Sequence, residues 1–301
     1  MRISTNSITQ QGLEAMLRQQ TELAKTQLQV SSGKRIQTPS DDPIGAVKML
    51  DLQRQIGLSQ QYQDNADVAD SRLSTTDGAL KSAGDIMQRI RELAVQALND
   101  TNSNESRQGI AEEINQLNQT LVALANTTDS NGEYLFSGYQ SDVQPFDTTT
   151  FAYNGDGGQR QLRVSDGYLV AINEPGDDLF ITQTVAGPNQ AIFQTIQDFT
   201  DSLTNGTVGT APNDGDFLAN MDYAMDASLD ARTRIGTRQN AVEQQREIND
   251  SSQFSMTTTL SQIEDLDYAE AITQLNLKSV GLQAAQQVYV KVQGLSLFNF
   301  L

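Results

Sequence analysis

The chain has 301 residues and a formal charge of −18, with 20 basic against 38 acidic side chains. Without histidine or cysteine it can build no disulfide framework, no zinc site of the usual ligands and no Ser/His or Cys/His catalytic pair. So acidic a surface is a poor partner for nucleic acid, where binding runs on phosphate neutralisation, and aromatic residues at 6% with no tryptophan point to long, thin helices rather than one large globular core.

No run approaches the roughly 20 consecutive apolar residues of a membrane span. The opening MRISTNSITQQ has no apolar segment of the secretory type. No membrane insertion is expected, and any export should proceed without a cleaved signal. Over residues 1–31, Ile8, Leu13, Met16, Leu17, Leu23, Ala24, Leu28 and Val30 recur at helical spacing. This helix stops at Ser31-Ser32-Gly33, where Gly33 can take the left-handed conformation past a helix end. Lys34 and Arg35 follow, then a turn at Thr38-Pro39. Asp41-Asp42-Pro43 is a helix start, with proline at the first helical position and the aspartates as caps. Two adjacent carboxylates without convergent partners do not make a metal site.

The second helix is expected over residues 43–98, roughly 80 Å at 1.5 Å per residue. One seam runs Leu52, Ser59, Ala66, Leu73, Leu80, Met87, Ala94, and the other Tyr62, Ala69, Thr76, Ala83, Ile90, Ala97. The seven-residue step within each seam is that of a coiled coil. The cluster Asn99 to Asn104 is a turn; it lacks the glycine and closing acid of a calcium loop. A third helix follows with Ile110, Ile114, Leu117, Leu121 and Leu124 on one face, and the short connection makes it an antiparallel neighbour.

From about Thr127 the pattern changes. Short runs (Phe151–Tyr153, Gln161–Val164, Tyr168–Ile172) alternate with glycine, aspartate and proline clusters, which are hairpin signals. The glycines at 155–158 precede no helix, so they are a solvated turn rather than a phosphate cradle. Residues 189–204 should form a short helix with Ile192, Ile196, Phe199 and Leu203 inward. After a loop, Asp214 or Asp216 opens a fourth long helix over about 216–263. Its seam is Met221, Ser228, Ile235, Val242, Met256 and Ile263, flanked by Arg232, Gln239, Arg246 and Gln253. Gly236 lies inside it. Glycine in a helix interior costs about 0.5–1 kcal/mol, so close approach of the 43–98 helix is expected there, with Arg238 reaching a carboxylate on that helix. On this reading Gly236→Leu lowers the melting temperature.

The final stretch, 260–301, carries Leu275, Leu282, Ala285, Tyr289 and Val292 near a heptad repeat, then the apolar patch Leu295, Leu297, Phe298, Phe300 and Leu301. One helix cannot bury its own seam, so its partner is a matching helix of the same chain or a neighbouring subunit. Residues 1–38 carry a net +3, whereas residues 214–270 hold twelve acids against four arginines, so the basic first helix should be drawn to an acidic surface. The fold class expected is mainly α with a β insertion: a long antiparallel helical hairpin, or coiled-coil rod, with paired terminal helices and a small mostly-β tip domain. Its segments are 1–40 (terminal assembly helix), 41–130 (outgoing rod arm), 131–212 (tip), 213–264 (returning arm) and 265–301 (terminal assembly helix). Both ends should be poorly ordered in a free monomer and ordered by polymerisation.

The stretches LQVSSGKRIQTPSDDPIGAV (28–47), LSQIEDLDYAEAITQL (260–275) and LQAAQQVYVKVQGLSLFNFL (282–301) together resemble the two ends of the bacterial flagellin family, over roughly the first 140 and last 90 residues. A Gly-x-Arg-x-Asn run of the family matches Gly236, Arg238 and Asn240. The resemblance implies a structural flagellar subunit with no cofactor and no catalysis, exported through the flagellar type III apparatus and polymerised through its terminal helices. Pro43 after the aspartates, Tyr134-Leu135-Phe136-Ser137-Gly138 and the tail LSLFNFL are similar to members at the hook–filament junction; filament flagellins usually carry Ala after the aspartates. The partners implied are other copies of the chain, a hook-associated protein on the hook side, flagellin on the filament side and an export chaperone. The alternative within the family is flagellin, the main filament subunit. The alternative of another class is a cytoplasmic helical signalling rod, which would show a membrane span and a symmetric hairpin tip. The subunit interface expected on this reading comprises Ile8, Leu13, Leu17, Leu28, Leu275, Leu282, Tyr289, Val292, Leu295, Leu297, Phe298, Phe300 and Leu301. The structural turn and rod packing comprise Gly33, Lys34, Arg35, Asp41, Asp42, Pro43, Gly236, Arg238 and Asn240.

Overall fold

A computed structural model describes residues 5–99, 101–182, 189–207 and 216–298. Its elements are α1 (Thr5–Ser32), α2 (Pro43–Ala97), α3 (Asn104–Ala125), β1 (Gln161–Ser165), β2 (Tyr168–Ala171), α4 (Asp177–Phe180), β3 (Ile181–Thr182), β4 (Gln190–Ala191), α5 (Ile192–Asn205), α6 (Phe217–Glu264) and α7 (Tyr268–Phe298). The fold is mainly α with a small antiparallel β element. The chain forms two compact units, residues 1–58 with 252–301, and residues 59–251.

In the second unit the two seams of α2 are its buried faces. Ser59, Ala66, Leu73, Leu80, Met87 and Ala94 are buried, as are Ala69, Thr76, Ala83, Ile90 and Ala97. Small residues at these positions let helix backbones approach, and Ser228 on α6 donates to the Leu80 carbonyl at 3.4 Å. α6 runs antiparallel to α2: Asp67 meets Arg246 at 2.9 Å, Asp77 meets Arg232 at 2.8 Å, and Arg91 meets Asp222 at 2.6 Å. The arginines flanking the α6 seam thus use their heads on acids of α2, not only their stems as covers. α3 begins at the Ser103 cap, whose hydroxyl accepts from Ser106 N. It then folds back along α2, with Arg89 reaching Glu113 at 2.8 Å.

The segment between α3 and α5 has fewer regular strands than its alternating runs suggest. β1 and β2 form an antiparallel hairpin around Asp166-Gly167, and β3 pairs with β4 over two residues. Phe151–Tyr153 contributes only an isolated bridge between Phe146 and Tyr153. An aromatic cluster holds this region instead. Phe146 meets Phe180 at 5.6 Å and Phe193 at 5.1 Å in edge-to-face contacts, a geometry favoured by the ring quadrupoles. Burial pushes the Tyr153 hydroxyl up to about 12, helped by the Asp177 charge; its single O–H lies within reach of both the Phe136 and the Asp156 carbonyl. Asn65 of α2 donates to the Arg163 carbonyl and Asn249 of α6 to that of Val164, which ties β1 to the helices.

Two ion clusters complete the tie. Buried Arg72 on α2 pairs with Asp129 at 2.8 Å and Glu133 at 2.7 Å, and Arg160 shares Glu133. The Arg160 and then the Arg72 guanidinium hold the Glu133 carboxyl below the usual range. Glu174, fully buried, lies between Arg234 at 2.9 Å and Arg238 at 2.6 Å, one turn apart on α6. This corrects the expectation for Arg238: its carboxylate lies on the segment after β2, not on α2. Gly236 is corrected too. A methyl group built there meets nothing within 4 Å, so among the described residues no helix approaches closely enough to require glycine. Asn240 is exposed on α6.

Candidate functional site

The first unit contains α1, α7, the N-terminal part of α2 and the C-terminal part of α6. α1 ends as Gly33 takes a left-handed φ of 73° with its N–H on the Gln29 carbonyl. The chain then crosses the α6–α7 connection as a short antiparallel bridge, Lys34 against Asp265. Arg35 N donates to the Glu264 carbonyl at 2.7 Å, and Leu266 N to the Gly33 carbonyl at 3.0 Å. The Arg35 guanidinium also caps the end of α6 through the Ile263 carbonyl at 2.8 Å, and Lys34 pairs with Glu264. Cations at a helix C-terminus face its unsatisfied carbonyls, a favourable placement.

The aspartates divide their work. Asp42 accepts from Gly45 N at 2.9 Å, the bond of an N-cap to the third helical residue, with Pro43 between them at the first. Asp41 accepts from Gln37 N and Thr38 N and pairs with Lys25 of α1 at 2.7 Å. The Lys25 ammonium, then the Thr38 amide, hold its carboxyl well below the usual range. Ile36, the lone apolar residue of this polar turn, is buried against Gly45, where a Cβ would stand 2.7 Å from its Cδ1. A larger residue at 45 would have to displace the Ile36 and Asp42 side chains. The sequence offers one signal for this packing, an isoleucine among charged and turn residues, and it was missed.

α1 and α7 pair antiparallel. Lys278 reaches Glu22 at 3.2 Å and the Thr26 hydroxyl at 3.0 Å. One turn farther along α7 Gly281 lies against Gln19, and beyond it Tyr289 against Gly12. Leu275, Leu282 and Tyr289, expected at a subunit interface, are half-buried on the α7 face toward α1. The opposite face of each helix is open. On α1 it holds Leu13, Leu17 (53% exposed) and Leu28 (58%). On α7 it holds Leu277 (68%), Val280 (64%) and Val288, spaced one helical turn apart or two. Ile44, Val47 and Leu50 on α2 and Phe254 on α6 are also exposed in this unit. The three on α2 escape the sequence reading because Asp51 and Arg54 interrupt the repeat that would have flagged them. Phe300 and Leu301 lie outside the described residues, and for Ile8, Val292, Leu295, Leu297 and Phe298 the helical backbone alone is described.

Among the described residues no group of three acids is placed to hold a metal ion, and no helix is long and apolar enough to cross a membrane. What the described residues of this unit present is a pair of helices with open apolar stripes and a turn locked by ion pairs and backbone bonds.

Comparison with known proteins accords with this. The bacterial flagellin N-terminal helical region matches residues 3–141, and the bacterial flagellin C-terminal helical region matches residues 218–301. Flagellar hook-associated protein 3 of Escherichia coli (strain K12) is 28% identical over 314 aligned positions, covering 99% of each chain. Two solved structures from Legionella pneumophila share the fold. Flagellar hook associated protein-3 superposes with a TM-score of 0.64 at 22% identity, over 70% of this chain and 98% of that one. The flagellar junction protein does so with a TM-score of 0.59 at 20% identity, over 72% and 100%.

Proposed function

Because this chain belongs to the bacterial flagellin family, we propose that it is a structural component of the flagellum, an adaptor that polymerises at the hook–filament junction. The end-to-end likeness to hook-associated protein 3 carries this reading. The geometry supplies a means. Each terminal helix spends one face on the other and keeps a second, apolar face free. A surface of that kind in a head-to-tail contact that does not close builds a helical tube. Leu13, Leu17, Leu28, Leu277, Val280 and Val288 are the described contacts between copies in this scheme, continued by the apolar tail from Leu295 to Leu301. The locked turn from Gly33 to Pro43 fixes the angle at which the terminal pair leaves the rest of its unit.

An adaptor differs from a filament subunit in meeting two kinds of neighbour. In this proposal one side of the ring contacts a hook-associated protein and the other contacts flagellin. Before assembly, an export chaperone covers the open stripes, and the chain leaves the cell without losing a signal peptide. Electron microscopy of a strain lacking this chain tests the proposal. Hooks without filaments, together with flagellin shed into the medium, are the expected result. Loss of motility with no secreted flagellin would instead identify the main filament subunit.

A further inference from the structure

A pocket of about 500 Å³ lies in the second unit between α3, α5 and the loop before Phe151. Five amide side chains line it, those of Asn115, Asn118, Gln119, Gln194 and Gln197, with the Phe151 ring and two threonines. No ionisable group does. Asn118 is 2% exposed on a face of α3 that otherwise buries Ile114, Leu121 and Val122. Its Nδ2 donates to the Phe193 carbonyl at 3.0 Å, whereas its Oδ1 has no partner. An unsatisfied acceptor in a helix core calls for a reason, since an apolar residue of like shape would remove the cost. A second irregularity sits at the same pocket. Phe151 has a φ of 55°, the one positive φ of a non-glycine among the described residues. Strain of this kind persists where the surroundings enforce it and clusters at binding sites. The pocket amides are also held: Gln194 donates to Asp198 at 2.7 Å and Gln197 to Asp201 at 3.1 Å.

We propose that this pocket binds a neutral saccharide of one or two rings. A hydroxyl both donates and accepts, and so does each amide; the apolar face of a sugar ring suits the Phe151 ring. With no charged lining there is nothing to recognise a phosphate, a carboxylate or an amine, and five amides are too polar a wall for a lipid. The volume is within the range of small-molecule sites. The site is independent of the assembly surface, which lies in the first unit.

The test is a titration of the isotope-labelled full chain, followed by ¹H–¹⁵N NMR, with glucose, N-acetylglucosamine, maltose and cellobiose. Glycerol and glucose 6-phosphate serve as controls. At least one neutral sugar should bind saturably, shifting the Asn118 side-chain amide and the Phe151 backbone amide. Asn118→Leu should weaken that binding roughly tenfold or more. Should Asn118→Leu fail to fold, half-buried Asn115→Ala carries the same expectation. The proposal is overturned if no sugar shifts these signals, if glycerol shifts them equally, if the phosphate ester binds more tightly, or if both variants bind as the wild type does.

Discussion

Replacing Gly236 by alanine should raise the melting temperature. Glycine costs a helix interior about 0.5–1 kcal/mol relative to alanine, and the space beside it is open to a methyl group. Thermal melts followed by circular dichroism decide it; a lowered midpoint would restore the close-packing explanation. Glu133 makes a different prediction. Arg160 and Arg72 depress its pKa on folding. A carboxyl with a depressed folded pKa adds stability above its unfolded value, near 4.3, and loses it as pH falls below. Glu133→Gln should therefore cost about 1.5–3 kcal/mol at neutral pH, the range of a hydrogen bond to a charged group. The two proteins should converge as pH drops below about 4. A gap unchanged from neutral pH into acid would assign the loss to shape rather than charge. The ionic partners that matter here join segments far apart in the chain, such as Arg238 with Glu174. No local pattern announces them, which is why the sequence put Arg238 against the wrong element.

At the scale of elements, the helices were legible because their periodicity is long and local. The seams of α2 from Ser59 to Ala97 are buried at nearly every expected position. The four residues chosen on α5, Ile192, Ile196, Phe199 and Leu203, are all buried too. The irregular region was less so, since its core depends on Phe136, Phe146, Phe180 and Phe193 converging from separate segments of the chain. The terminal helices were half legible. A heptad repeat marks a contact face but does not say whether the partner is in the same chain. Leu275, Leu282 and Tyr289 face α1, while Leu277, Val280 and Val288 are open. The chain has no cysteine, so engineered pairs can read the faces directly. Gln19→Cys with Gly281→Cys should be joined within one chain by a short bis-maleimide crosslinker, seen as a mobility shift of the monomer band. Exclusively intermolecular crosslinking would mean that α1 and α7 of one chain do not pair. Leu17→Gln, on the open face, should leave the monomer melt within about 0.5 kcal/mol of wild type yet abolish polymer growth in light scattering.

For the whole molecule, the two units differ in how much they bury. In the first unit the residues buried among those described are Thr26, Ile36, Gly45, Glu264 and Ala271, gathered mostly at the turn. Along α1 itself Thr26 is the one buried position described, and along α7 it is Ala271. The ion pairs of the pair of helices, such as Lys278 with Glu22, are partly solvated and each worth about 0–1 kcal/mol. The second unit, with its mostly buried α2 seams and its buried phenylalanines, covers far more of its helical length than the terminal pair does. Hydrogen exchange should accordingly divide the chain. In dilute monomer the amides of α1 and α7 should exchange orders of magnitude faster than those of α2 from Ser59 onward, because local opening free energy follows local burial. If assembly covers Leu13, Leu17, Leu28, Leu277, Val280 and Val288 as proposed, the same amides should then become as slow as those of the second unit. Slow exchange throughout α1 and α7 in the monomer would show that the terminal helices are stable alone, and assembly would lose its role in completing the fold.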